Sequence, residues 1–244
     1  MVVLTGCASA DYKWGWTVLS PLTKAGQDNL SFLATGFGIT IGVSLSAISL
    51  SLIAGLGLAF LMLSSRPTVR GITRSFVEAV RAVPILVMLL WVYYGLPVIS
   101  GIVLDRFVSG VLALALCDCV FEAEIFRAGI QSVPKSQREG GAALGLSPYQ
   151  RARLIILPQA IRYILPAIGN QFVYILKMSS LVSVIGLADL TRRATELNVN
   201  LYRPLEVYTV LILEYLLLII VISYAVSRLE RYLWRHQADE RTRS

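Results

Sequence analysis

The sequence predicts an all-α polytopic membrane protein, with five membrane-spanning helices and a two-helix loop on the cytoplasmic side. Three observations carry that reading. Of its 244 residues 56% are apolar and only 15% charged, against roughly a quarter charged in a soluble domain. The charged residues lie between long charge-free runs. The basic ones fall on alternate loops, fifteen on one side and six on the other.

Residues 1–29 are predicted to form a coil-like arm outside the membrane. Within it, Leu4-Thr5-Gly6-Cys7 looks like a lipoprotein cleavage box with Cys7 as the lipidated residue. The few residues before it are uncharged after the initiator, too little for a signal peptide. Either the start is truncated or the match is chance, and the favoured reading is an unmodified arm. Trp14 and Trp16 suit an interfacial anchor there.

The transmembrane region is placed at residues 30–234. Leu30 to Ser65 contains no charge, ample for a span of about 20 residues. This run has small residues at four-residue spacing: Gly38, Gly42, Ser46, then Ser51, Gly55, Ala59. Small side chains let helix backbones approach closely, so tight packing within the subunit or across a dimer is expected. A second run goes from Ala82 to Leu104, with Pro97 near its outer end. The third, Phe107 to Phe126, is interrupted by Asp118, Glu122 and Glu124. The fourth, Tyr163 to Leu187, holds only Lys177, and the fifth, Val207 to Ser227, only Glu214. Residues 235–244 form a charged tail in which His236 reads as a solvated side chain.

Lysine and arginine concentrate on the cytoplasmic side of membrane proteins. With the N-terminus outside, the inner segments hold fifteen basic residues, from Arg66 to Arg243, and the outer ones hold Lys13, Lys24, Arg106, Arg192, Arg193 and Arg203. The net charge of +7 is thus a topology signal, not a nucleic-acid footprint. Cys117 and Cys119 lie two apart, so on a helix they face different ways and suit neither a bridge nor a metal. No metal or cofactor motif is visible. There is no G-x-x-x-x-G-K-[ST] phosphate loop, so the chain cannot itself hydrolyse ATP.

The loop at residues 134–158 is strongly punctuated. Ser136 followed by Glu139 reads as a capping box, opening a helix through Gly140, Gly141, Ala142 and Ala143 that stops at Gly145. Ser147, Pro148 and Gln150 read as a second capped start, and that helix is expected to end before Pro158. The first helix has a nearly bare backbone surface, suited to insertion in another protein's groove. An ordinary interhelical loop is the plain alternative.

Glu139-Gly-Gly-Ala-Ala-Leu-Gly145, with Ile156-Leu157-Pro158 beyond it, resembles the EAA coupling loop of ABC importer permeases. Gly140 and Gly141 stand in the alanine positions, which keeps the surface small. Further segments resemble the polar amino-acid uptake branch: Phe76-Val-Glu78-Ala-Val-Arg81, Glu124-Ile-Phe-Arg127-Ala-Gly129, Gly169-Asn170-Gln171-Phe172 and Ser180-Leu-Val-Ser-Val-Ile-Gly186. The resemblance covers Leu30 to Trp234. It implies the fold of an ABC type I importer permease, a homodimer or heterodimer of permeases in the bacterial inner membrane, and two cytoplasmic ATP-binding subunits. It also implies a periplasmic or membrane-anchored binding protein that delivers substrate. The coupling residues so implied are Glu139, Gly140, Gly141, Ala142, Ala143, Gly145, Leu157 and Pro158.

An ionised side chain at mid-bilayer costs roughly 2.5–3.5 kcal/mol on insertion scales, so each needs a reason. Asp118 and Glu122 are four apart and share a helix face. Lys177 and Glu214 lie inside the fourth and fifth runs. One reading is an internal Asp118–Lys177 ion pair; the other has these residues lining the path and holding a zwitterionic solute. Glu122 and Glu124 are also placed to meet Arg127. Acids outnumber bases in the bundle, which leans toward a cationic amino acid. Two rivals remain: an importer of another solute, and a proton-coupled secondary transporter relaying through Asp118 and Glu214.

Overall fold

Carboxylates shut away from water must be met by neighbouring helices, and the fold is organised around a helix that buries two of them. A computed structural model describes the backbone of residues 12–242 and the side chains of residues 12–231. Cys7, Arg243 and the side chain of His236 lie outside the described residues. Among the latter all regular structure is helical.

The chain opens on a 3₁₀ turn, Trp16–Leu19. It is followed by α1, Lys24–Ala34, whose first turn is capped by the Thr23 side chain accepting from the Gly26 amide. The arm is therefore helical in part, not coil throughout. α1 runs almost directly into α2, Gly36–Met62. Next comes α3, Pro67–Arg81, with proline at a first-turn position that needs no amide. It is bent by 96° against the run Ile85–Ser100, which comprises α4 (Ile85–Leu90), a π-turn at Trp91–Gly95 and α5 (Leu96–Ser100).

α6, Arg106–Gln131, is capped by the Asp105 carboxylate. α7 is Lys135–Ala143 and α8 is Pro148–Arg151. α8 continues through a π-turn at Ala152–Ile156 into α9, Leu157–Met178, and then into a 3₁₀ segment, Ser179–Ile185. α10 is Leu190–Leu201, and α11 is Pro204–Thr242.

Three runs are long and apolar enough to cross a membrane: Lys24–Met62, Pro148–Ile185 and Pro204–Arg231. The bent pair α3 to α5 makes a fourth. With 26 residues α6 is also long enough, but its three acids set it apart from those runs. Burial explains the difference. Asp118 and Glu122 are sequestered on α6 together with Ser109, Cys117, Cys119 and Val120. α2, α3, α4 and α9 all pack around it. By contrast α11 presents Ile212, Leu213, Leu216, Leu217 and Ile220 outward, an apolar surface suited to hydrocarbon.

The most extensive interface joins α2 to α6, and small residues make it possible. Ser51, Gly55 and Ala59 are buried along one face of α2. A Cβ on Gly55 would stand 2.6 Å from Glu122 Cβ and 2.9 Å from the Cys119 carbonyl oxygen. Of the two predicted small-residue rows, this second one is spent inside the subunit. Gly38 of the first row is exposed, with open space around it.

Two prolines expected to close their segments sit inside helical runs. Proline has no amide hydrogen, and its ring clashes with the carbonyl four residues back. For Pro97 that carbonyl belongs to Tyr93, and for Pro158 to Leu154; both lie within π-turns. There the ladder widens, so that Leu96 donates to the Trp91 carbonyl and Leu157 to the Ala152 carbonyl. The helix expected to end before Pro158 therefore carries on into α9.

Replacing Gly55 by valine should overpack the α2–α6 interface, a cost of roughly 1–3 kcal/mol. Gly57, where an added Cβ would meet nothing within 4 Å, is the control. In detergent, the thermal midpoint of G55V should fall clearly below that of G57V; equal midpoints would contradict the packing described.

Candidate functional site

The hairpin formed by α7 and α8 is one candidate, and the polar interior of the bundle is the other. In the hairpin the first predicted cap does not form. α7 starts at Lys135 with Pro134 in the capping position and no side-chain cap, so Ser136 already lies within the first turn. Arg138 instead reaches back to the Val133 carbonyl.

The end of α7 follows expectation. Gly145 adopts φ +78°, a conformation that costs glycine little. Its amide donates to the Ala142 carbonyl at 3.0 Å, and the Leu146 amide donates to the Gly141 carbonyl at 3.1 Å. That paired pattern satisfies helix-end carbonyls. The second box forms as well: the Gln150 amide donates to Ser147 Oγ at 3.3 Å, and the Ser147 amide donates to Gln150 Oε1 at 2.8 Å.

The two adjacent glycines have opposite roles. A Cβ on Gly141 would lie 2.5 Å from Ile155 Cδ1 and 3.2 Å from Arg151 Cγ, whereas one on Gly140 would meet nothing. Gly141 thus closes the hairpin onto the helix that follows, and it is not part of the bare surface. Glu139, Gly140, Ala142, Ala143 and Gly145 are exposed, and Leu144 beside them is 82% exposed. Gln159 Nε2 donates to Gln137 Oε1, fastening α9 to α7. Leu157 lines an apolar groove of about 480 Å³ with Phe60, Leu63, Ile130, Tyr149 and Ile156. Pro158 is half-buried at the start of α9.

The four charged residues expected inside the membrane, Asp118, Glu122, Lys177 and Glu214, do not form one constellation. Asp118 is 1% exposed, and both its oxygens are occupied: Ser51 Oγ donates to Oδ2 at 2.5 Å, and Gln171 Nε2 donates to Oδ1 at 2.5 Å. The expected Asp118–Lys177 ion pair is absent among the described residues. Lys177 lies six residues beyond Gln171, rotated by about 240° around α9, and it is exposed. Glu122 is fully buried, with both carboxylate oxygens lacking a hydrogen-bond partner. Glu214 is half-buried on α11, with Oε2 likewise unpartnered. Of the acids expected to meet Arg127, Glu124 does so, at 2.5 Å. An unpaired buried polar group is costly, so within this set Glu122 and Glu214 are the carboxylates with oxygens left unpartnered.

Three polar positions matter more in the structure than the sequence pattern suggests. Gln171 stands out only as part of a motif, because a neutral amide does not disturb a hydropathy profile. Glu206, near the start of α11, is fully buried. It accepts from the Gly15 amide at 2.7 Å and from the Tyr12 hydroxyl, while Arg203 lies 3.9 Å away. The N-terminal segment from Tyr12 to Gly15 is thereby tied to α11. Asp189 caps α10 by accepting from the Arg192 amide at 2.9 Å, and burial pushes its carboxyl up to about 6. An acid ahead of a helix start is the available signal for Asp189.

Comparison with known proteins gives a consistent set. The family model described as binding-protein-dependent transport system inner membrane component matches residues 47–235. The glutamine transport system permease protein GlnP of Escherichia coli K12 is 33% identical over 203 residues, covering 83% of this chain and 93% of GlnP. The arginine transport system permease protein ArtQ of Bacillus subtilis is 32% identical over 204 residues, covering 84% and 93%. A crystal structure of an amino acid ABC transporter with histidines superposes with a TM-score of 0.79 at 36% identity, covering 84% of this chain and 96% of that one.

The geometry separates the glycines experimentally. G141W should disrupt the hairpin itself, visible as faster proteolysis of the loop between α6 and α9. G140W should leave that loop as resistant as the parent; equal susceptibility of the two variants would contradict the inward placement of Gly141.

Proposed function

The chain belongs to the family of binding-protein-dependent transport system inner membrane components, and on that premise we propose that it forms the translocation path for polar amino acids in an ATP-driven importer. It is a multi-pass membrane protein, and ATP hydrolysis belongs to a separate subunit. Members of this family work with ATPase subunits and substrate-binding proteins. The finer arrangement proposed is two permease chains, alike or paralogous, seated on two cytoplasmic ATP-binding subunits, with a binding protein outside.

The observation that carries this reading is the hairpin. Its two helix ends are firmly capped, its outer surface from Glu139 to Gly145 is small and open, and its inner surface is locked to α9. Such an element fits a groove on an ATPase and passes displacement to the membrane helices. We assign Glu139, Gly140, Ala142, Ala143 and Gly145 to the docking surface. Gly141, Leu157 and Pro158 join the hairpin to α9. Five spans are proposed, with the N-terminus outside and the C-terminus cytoplasmic; α6 counts as a span because its acids face other helices. The basic-residue asymmetry of fifteen to six supports that orientation.

Polar amino acids are the proposed solutes because GlnP and ArtQ carry glutamine and arginine in their names. A preference for cationic amino acids rests on Glu214, whose free oxygen would meet a cationic side chain in the path. An importer for another solute would use the same hairpin and is separated by a substrate screen.

With the hairpin docked as proposed, G140W should insert normally yet fail to retain ATPase subunits during purification, and uptake should be lost. A G140W complex with its full ATPase complement and wild-type uptake would remove the docking assignment.

For solute choice, E214Q keeps the side-chain volume and removes the charge. The concentration giving half-maximal arginine uptake should rise on the order of tenfold, the loss of one modest charge interaction, with glutamine uptake unchanged. Wild-type uptake of glutamate without arginine would contradict the charge argument.

A further inference from the structure

Asp118 differs from the other intramembrane acids in that the chain has already satisfied it. Each of its oxygens is held by a different helix, Ser51 of α2 on one side and Gln171 of α9 on the other. A carboxylate held on both oxygens and only 1% exposed is closed off from a passing solute by the helices around it. The same residue is the point at which α2, α6 and α9 meet through directional bonds.

α9 has a mechanical peculiarity. It is the membrane portion of one helical run, Pro148–Ile185, whose cytoplasmic end is the second arm of the hairpin. The first arm is seated on that run through the close approach at Gly141–Ile155 and the Gln137–Gln159 hydrogen bond. From Ile155 to Gln171 is sixteen residues, about 24 Å along the axis. Two glycines near this path let neighbours come close: Gly129 of α6 faces Ile164, and Gly169 faces Val226 of α11. Those contacts are apolar and carry no directional bond. The contact at Gln171 is instead a directional hydrogen bond to a group that is 1% exposed, which water does not readily replace.

We propose that Asp118 is a positioning residue: the fixed point that ties α9 to α2 and α6, so that displacement of the hairpin turns into movement of the membrane helices. The proposal rests on the reading of the hairpin as the ATPase-docking element. It assigns Asp118 a role that depends on hydrogen bonds and not on charge, removing it from the solute-contacting set.

The test uses the full importer, with ATPase subunits and binding protein, in proteoliposomes supplied with radiolabelled arginine or glutamine. The quantity read is ATP hydrolysed per solute taken up, which a merely destabilised complex would not change. D118N retains an acceptor for Gln171 and gains an amide that can donate to the Ser51 hydroxyl; its ratio should stay within about twofold of wild type. Q171E sets two acceptors against each other and should raise the ratio on the order of tenfold, the scale of leaving one buried polar group unsatisfied. The double variant D118N/Q171E restores a donor facing an acceptor and should bring the ratio back, even where Q171E alone folds poorly.

Three results would overturn the proposal: D118N abolishing uptake with the complex intact, Q171E coupling like wild type, or the double variant performing no better than Q171E. If wild-type complex takes up neither solute with ATP, the importer reading fails first, and the proposal falls with it.

Discussion

A carboxylate that is 1% exposed has no water to turn to, and at Asp118 that fact sets the neighbours of α6. The acid needs donors, and Ser51 and Gln171 supply them from two helices. One turn further along, Glu122 needs shelter, and the absence of a side chain at Gly55 lets α2 close over it. Once α2 and α9 are drawn to the same helix, α6 is surrounded, and the apolar face of α11 is left for the lipid. Polar chemistry inside and apolar surface outside follow from one constraint, that hydrocarbon cannot solvate what water would.

The hairpin and α9 form a second unit built on the same economy of side chains. Gly141 brings the hairpin onto Ile155, and the π-turn at Ala152–Ile156 lets the chain pass Pro158 without breaking. Had the helix stopped at Pro158, the loop would have been hinged there, and a push at its tip would have been absorbed locally. As it stands, the run from Pro148 to Ile185 is continuous from the loop into the bundle. The same device, a π-turn followed by leucine and proline, recurs at Trp91–Gly95 before Pro97. Near the other end of the bundle, the segment from Tyr12 to Gly15 is fixed to α11 through Glu206, which gives it a defined seat.

Much of this is legible in the chain, and the reasons are local. Runs with at most one charge mark α2, α9 and α11 because each is apolar over most of its circumference. Gly145, Ser147 and Gln150 announce their turns because left-handed backbone and unpaired amides call for those residue types. Ser136 misleads, since Pro134 takes the capping position and shifts the helix start ahead of what the serine pattern implies. Pro158 misleads because a stop and a π-turn look the same in one dimension. Lys177 lies at a plausible depth for Asp118, but helical rotation carries it to another face. Gln171, the residue that does meet Asp118, is neutral and leaves no mark on the charge pattern. Which of two adjacent glycines faces inward depends on where Ile155 returns, and no local pattern encodes that.

The function of the chain as a coupled permease turns on whether the tip of the hairpin touches an ATPase. The direct measurement is site-specific crosslinking in native membranes. A photoreactive residue placed at Leu144, the most exposed apolar position of the tip, should yield on illumination an adduct containing the ATP-binding subunit. The same residue at Tyr202, on the segment assigned to the outside, should yield none. Capture of the ATP-binding subunit from Tyr202 and not from Leu144 would contradict both the docking assignment and the orientation of the chain.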